Sequence, residues 1–300
     1  MTVGSPGDLM PSHLSHLQNL SPAPLVVAAL VAVVVALVIH EPVSGKRSFA
    51  AFLRAEKVDG EPARLRFYRS WILQGCATAA LAIGLVLALP GVSLADIGFR
   101  ATDLNGLDRL GLSEAGIGAS EIAGMITGAA VAAIALSLLA RRRAKSGNTS
   151  IPAQMVAVQP MLPRTGRGRW GWAALSLSAG VTEEITYRGL LVLALAVALP
   201  ARTPTAVIVV VAAVLFGAAH WYQGRAGMLA TGVAGAALTM LYLGTGSLLV
   251  PIILHTLMDL RALLLPAGAR AQEPETAAER AAASGMIVPA QTARETAQGA

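Results

Sequence analysis

The chain has 300 residues, 55% of them apolar and only 13% charged, with a formal net charge of +6 and a single cysteine, Cys76. Soluble proteins average roughly 25% charged residues, so this composition excludes a disordered chain, a disulfide scaffold and an ordinary cytosolic enzyme, and indicates an integral membrane protein. The basic residues cluster beside apolar runs, so the positive balance reads as membrane topology and not as nucleic-acid binding.

Residues 1–22 are short and polar, with no Lys or Arg before the first apolar run. That run, Pro24 to His40, is therefore expected to be a retained anchor and not a signal peptide. A spanning helix needs about 20 mostly apolar residues, and Trp71 to Leu89 and Ile122 to Ala140 supply the second and third. Beyond Arg169 the chain is almost continuously apolar to Pro266, and four helices are expected at 170–199, 204–221, 226–243 and 247–265. The first of these, about 45 Å long at 1.5 Å per residue, must tilt, bend or project from the bilayer, unless it splits near Arg188 and Gly189. The fold class is thus all-α: a polytopic membrane helix bundle of seven, or eight, transmembrane helices.

Charge sets the expected orientation. Residues 41–70 carry Lys46, Arg47, Arg54, Lys57, Arg64, Arg66 and Arg69, and residues 141–169 carry seven basic residues and no acid. Between them, 91–121 has two arginines against five acids, and the stretch from about 91 to 117 reads as an external loop with short interfacial helices. Basic loops stay on the cytoplasmic side, so the N-terminus is expected outside and, with seven spans, the C-terminus inside. The abundance of Ala, Gly and Arg suggests a bacterial inner membrane. The tail from 267 to 300 lacks a sustained apolar face and is expected to be disordered or weakly helical. Gly232 and Gly235 fit close packing of helices.

Ionisable groups inside the apolar half are the informative residues. Each costs about 2.5–3.5 kcal/mol at a helix centre, so such groups meet one another inside the bundle and mark function. Apart from Arg202 and Arg225 in connecting links, residues 170–260 contain Glu183, Glu184, Arg188, His220, His255 and Asp259. Glu184 and Arg188 lie four apart and share a helix face, a structural pair. Glu183 is turned about 100° away and is free to face something else. His255 and Asp259 are also four apart, and His220 follows Phe216 by one turn. Three helices therefore bring Glu183, His220, and His255 with Asp259 to one centre, where a carboxylate and two histidines activate water, bind a metal or relay protons.

At these residues the chain resembles the CPBP intramembrane proteases, the CAAX protease and bacteriocin-processing family. Glu183-Glu184-Ile-Thr-Tyr-Arg188, Phe216-Gly-Ala-Ala-His220 and His255-Thr-Leu-Met-Asp259 are similar to its three motifs, in order and each in an apolar helix. The run Gly235 to Ser247 is similar as well. The resemblance implies hydrolysis of peptide bonds in membrane-associated or lipid-modified proteins or peptides. It makes Glu183 the base that activates water, with His220 holding that water. His255 and Asp259 would stabilise the oxyanion or orient the water, and Glu184, Arg188 and Phe216 would support the site. Asp259 stands where the motif often has Asn. The expectation is a metal-free glutamate protease. The alternative, in a family also described as metalloproteases, is a zinc ion held by Glu183, His220 and His255. The implied partners are the lipid bilayer and a peptide substrate.

On this reading residues 23–168 are N-terminal transmembrane helices with basic cytoplasmic loops, and 169–266 are the catalytic helical core. Two other functions suit the same charges less well: a non-catalytic scaffold or bacteriocin self-immunity protein, and a proton-coupled transporter, which would call for two matching halves.

Overall fold

The computed structural model describes residues 12–20, 22–103, 157–201 and 203–264. The expected span Ile122 to Ala140, most of the 91–121 segment and the 267–300 tail lie outside the described residues. All regular structure among the described residues is helical. Three helices there are long and apolar enough to cross a membrane: Pro24–Asp59, Glu61–Ala88 and Trp221–Thr245, the last including its leading 3-10 turn.

Helix α1 (Ser12–Gln18) is short, and α2 (Pro24–Asp59) starts with proline in its first turn, where the missing N–H costs nothing. It does not stop at His40, as hydropathy suggested. It carries through Pro42 to Asp59, and Gly60, at φ +59°, reverses the chain directly into α3 (Glu61–Ala88). The expected basic loop 41–70 is therefore a helical hairpin that extends the two spans. Two interactions hold it. Phe52 stacks on Phe67 at 4.5 Å, and Phe67 in turn meets Trp71 at 4.5 Å. Arg64, buried at the corner, pairs with Glu56 at 2.7 Å and with Glu61, and donates to the Pro160 carbonyl at 3.1 Å. Hydropathy windows end where charges begin; a helix whose charges neutralise one another has no reason to.

On the opposite side of the bundle the chain leaves α3 through a 3-10 turn, Leu94–Ile97, capped by Ser93 and Asp96. His16 of α1 bonds Asp96 at 2.6 Å, and the buried His13 bonds the Tyr242 hydroxyl at 2.9 Å. Burial works to raise the Asp96 carboxyl, but its bonds from Ser93 and His16 outweigh burial and leave it below the usual range.

Thr165 caps α4 (Gly166–Glu184), accepting from the Gly168 amide at 2.9 Å. The helix then widens into a π segment, Ile185–Leu191, and resumes as α5 (Val192–Ala198). The long helix expected at 170–199 is thus continuous, and the point where a split was considered, Arg188 and Gly189, is the middle of the wide turn. Next come α6 (Thr205–Ala219), a 3-10 turn at Trp221–Gln223, and α7 (Gly224–Thr245), which ends at Gly246 with φ +63°. Helix α8 (Leu249–Leu260) is shorter than the expected 247–265 and finishes in a 3-10 turn, Arg261–Leu264.

Small residues set the helix spacing, as packing in lipid requires. A Cβ on Gly180 would meet Thr256, including its amide nitrogen at 3.0 Å, so α4 and α8 touch backbone to backbone there. One on Gly235 would fall 2.8 Å from the Phe216 ring, which ties α7 to α6. Two apolar clusters result. One, around Leu30, Val34, Leu193, Ile208 and Leu243, fills one half of the bundle. The other, around Phe49, Phe52, Phe67, Met161 and Trp172, fills the basic end. Polar residues gather at the boundary between them.

Candidate active site

The two adjacent glutamates at the end of α4 diverge. Glu184 is fully buried, and its Oε1 accepts from Arg188 Nη1 and from His255 Nδ1, each at 2.7 Å. Arg188, also buried, donates through Nη2 to the Gly235 carbonyl at 3.2 Å, and its guanidinium lies 4.3 Å from the Phe216 ring centroid. Phe216 is therefore a hub: it also meets the rings of Tyr187, His220 and His255 at 4.9, 4.8 and 5.9 Å.

Glu183 faces the other way. Its Oε2 lies 3.8 Å from His220 Nε2 and 3.9 Å from His255 Nε2, and this buried oxygen has no hydrogen-bond partner in the protein. These separations exceed a hydrogen bond, so Glu183 is close to both rings without being bonded to either. Both imidazoles are fixed through their far nitrogens. His220 Nδ1 bonds the Phe216 carbonyl at 2.8 Å, one turn back where α6 ends. His255 Nδ1 bonds Glu184. With Nδ1–H donating in each case, Nε2 of both rings is turned toward Glu183.

The sequence-derived residues Glu183, His220, His255 and Asp259 thus converge, although not every expected pairing is the working one. Asp259 Oδ2 is 3.9 Å from His255 Nε2, too far for a hydrogen bond, and the group that orients His255 is Glu184. Asp259 is placed through its backbone, whose carbonyl accepts from Trp172 Nε1 at 3.0 Å.

All four residues line one cavity of about 380 Å³, within the usual range for small-ligand sites. Its other walls come from helices outside the three motifs. Glu41 of α2 lines it and accepts a hydrogen bond from the Tyr187 hydroxyl; Trp71, Gln74 and Thr78 of α3 line it too. Sequence reading missed Glu41, and the signal was present: a lone acid on the heels of a seventeen-residue apolar run. Among the described residues, no group of three or more His, Cys, Asp or Glu side chains could hold a metal ion.

Residues 166–261 match the family described as "Rce1-like: Type II CAAX prenyl endopeptidase Rce1-like". The match covers about a third of the chain and contains every residue of the three motifs, so it falls on the segment that carries the resemblance. No curated protein and no solved structure matched the chain.

Proposed function

We propose that the protein is an intramembrane endopeptidase that cleaves membrane-associated or lipid-modified, CAAX-like chains with water activated by Glu183. One observation carries this reading: the Glu183 carboxylate, without a protein hydrogen bond, stands just beyond hydrogen-bonding distance of two anchored imidazoles, and all three groups line one cavity. A water there gives its proton to Glu183 while the resulting hydroxide attacks the substrate carbonyl carbon. His220 Nε2 holds the water. In its imidazolium form His255 directs Nε2–H at the developing oxyanion, and the Asp259 carboxylate steadies the imidazolium. Collapse of the tetrahedral intermediate breaks the C–N bond, and the proton on Glu183 passes to the leaving amine. Glu184, Arg188 and Phe216 keep the two rings in place.

The topology proposed with this activity is a bundle of seven spans in a bacterial inner membrane, with the N-terminus outside and the basic end cytoplasmic. Lys46 lies over the ring of Trp221 at 3.8 Å, the pairing of cation and amphipathic ring expected at a membrane surface.

The test is cleavage of a fluorogenic membrane-peptide library by the purified protein in nanodiscs, with and without phenanthroline. Glu183→Gln and His220→Ala should each lower the rate by about 10²–10⁴-fold. Wild-type rates in Glu183→Gln would refute the mechanism. Loss under the chelator with rescue by zinc would transfer Glu183, His220 and His255 to a metal shell.

A further inference from the structure

Among the described helical acids, Asp96 bonds His16, and the others fall into two groups. Glu56, Asp59, Glu61 and Glu184 each pair with an arginine. Glu41, Glu183 and Asp259 form no ion pair with Lys or Arg among the described residues, and all three line the same cavity. The imidazoles of His220 and His255 and the side chain of Arg261 also face it. A protein that pairs its other described helical carboxylates with arginine, or for Asp96 with histidine, has left these three at the cavity without a guanidinium or ammonium partner.

A second observation comes from α4. Ser176 of α4 lines the cavity at 1% exposure, and its hydroxyl oxygen has no hydrogen-bond partner. A buried hydroxyl without a partner costs on the order of 1–3 kcal/mol, which a donor on an occupant would relieve.

The cavity's position supplies the chemistry of that occupant. Lys46 and Arg47 follow Glu41 on α2 by five and six residues, less than two helical turns. The cavity therefore lies next to the basic end of the bundle. On the membrane face where such ends sit, the flanks of other membrane proteins are enriched in Lys and Arg.

We infer that the cavity selects substrates carrying a lysine or arginine beside the scissile bond, with Glu41 as the specificity-determining carboxylate. The inference rests on the proposed endopeptidase reading for the word substrate. The binding preference itself does not depend on cleavage. Glu41 is suited to the role because Tyr187 fixes its carboxylate through one oxygen, Oε2. A cationic head reaching the cavity meets a Glu41 carboxylate that forms no ion pair with Lys or Arg among the described residues.

The experiment uses full-length Glu183→Gln protein in nanodiscs of zwitterionic lipid, so that neither turnover nor lipid charge contributes. Three fluorescein-labelled palmitoylated peptides, identical except for lysine, norleucine or glutamate at one flanking position, are titrated by anisotropy. The lysine peptide should bind about tenfold tighter than the norleucine peptide, as expected for one charge-assisted hydrogen bond, and the glutamate peptide weakest. Adding Glu41→Gln should bring the lysine-to-norleucine ratio close to one, with norleucine affinity retained as the sign of an intact fold. Glu41→Asp should keep the preference, and Asp59→Asn, outside the cavity, should leave it unchanged. Equal binding of the lysine and norleucine peptides, or a preference that survives Glu41→Gln, overturns the inference. Preferential binding of lysine peptides by a wild-type protein that cleaves none of them would overturn the endopeptidase reading instead.

Discussion

Removing Glu184 tests whether the buried pair behind the site stands on its own charge balance. Arg188 is 1% exposed and Glu184 is 0% exposed, so neither is rescued by solvent. Glu184→Leu leaves the guanidinium with only the Gly235 carbonyl and the Phe216 ring, an uncompensated buried charge that costs about 3–5 kcal/mol. Arg188→Met is expected to cost less, because Glu184 keeps His255 as a cationic partner. Removing both charges together strands no guanidinium, and His255, its carboxylate gone, can shed its proton. The double variant should be more stable than the sum of the two single losses by about 2–3 kcal/mol. Equilibrium unfolding in mixed micelles measures the three values. The double variant should still lose cleavage, because His255 Nδ1 has lost its acceptor and the ring is free to turn. Additivity within about 0.5 kcal/mol would refute the account of Glu184 and Arg188 as a self-neutralising pair. Wild-type cleavage in the double variant would refute the positioning of His255 by Glu184.

Three further outcomes are expected. Gly180→Leu, which touches no candidate catalytic group, should push α8 from α4 through Thr256 and lower cleavage at least tenfold while both histidines remain, since small misplacements of reacting groups cost this much. Thr165→Ala removes the cap of α4 and the hydroxyl's 2.7 Å bond to Glu61, and should cost about 1–2 kcal/mol in unfolding without changing the pH profile of cleavage. His13 provides a pH effect. Burial, then Arg100 and His16, lower it from 6.5 to about 4 against the pull of Asp96, so the folded protein favours the neutral ring. Its contribution is complete above pH 6.5 and is lost as pH falls from 6.5 to about 4, a loss of about 3 kcal/mol at 1.36 kcal/mol per unit. Hydrogen exchange of residues 12–18 should speed up over that interval in the wild type and not in His13→Phe; equal pH dependence in both would remove His13 as the cause.

The membrane character, the order of the later helices and the four converging groups were legible in the sequence because each rests on a local pattern. Hydropathy places α6 and α7 to within two residues, and i to i+4 spacing finds the Glu184–Arg188 pair. What escaped depends on distance along the chain. Glu184 and His255 are 71 residues apart, Tyr187 and Glu41 are 146 apart, and no periodicity links either pair. The same limit explains the hairpin of α2 and α3. A hydropathy window stops at His40 because it measures lipid compatibility, whereas the helix continues because Arg64, Glu56 and Glu61 neutralise one another at the corner. For His255 the local partner, Asp259, was in view, and the one that sets its ring is on another helix.

The wide turn at Ile185–Leu191 has a consequence for how this helix tolerates change in length. A π turn holds one residue more than an α turn, so the segments before and after it are out of phase by about 100°. That offset allows α4 to show Glu183 to the cavity while Leu190, Leu191, Val192 and Leu193 all sink into apolar packing two turns later. Deleting one residue between Ile185 and Leu191 would restore ordinary helical pitch and swing Val192–Ala198 by nearly a third of a revolution, out of its apolar bed. The same deletion within α6, which has no such slack, would shift Phe216 and His220 directly. The spare residue acts as a phase adjuster, letting one rod obey two different neighbourhoods along its length.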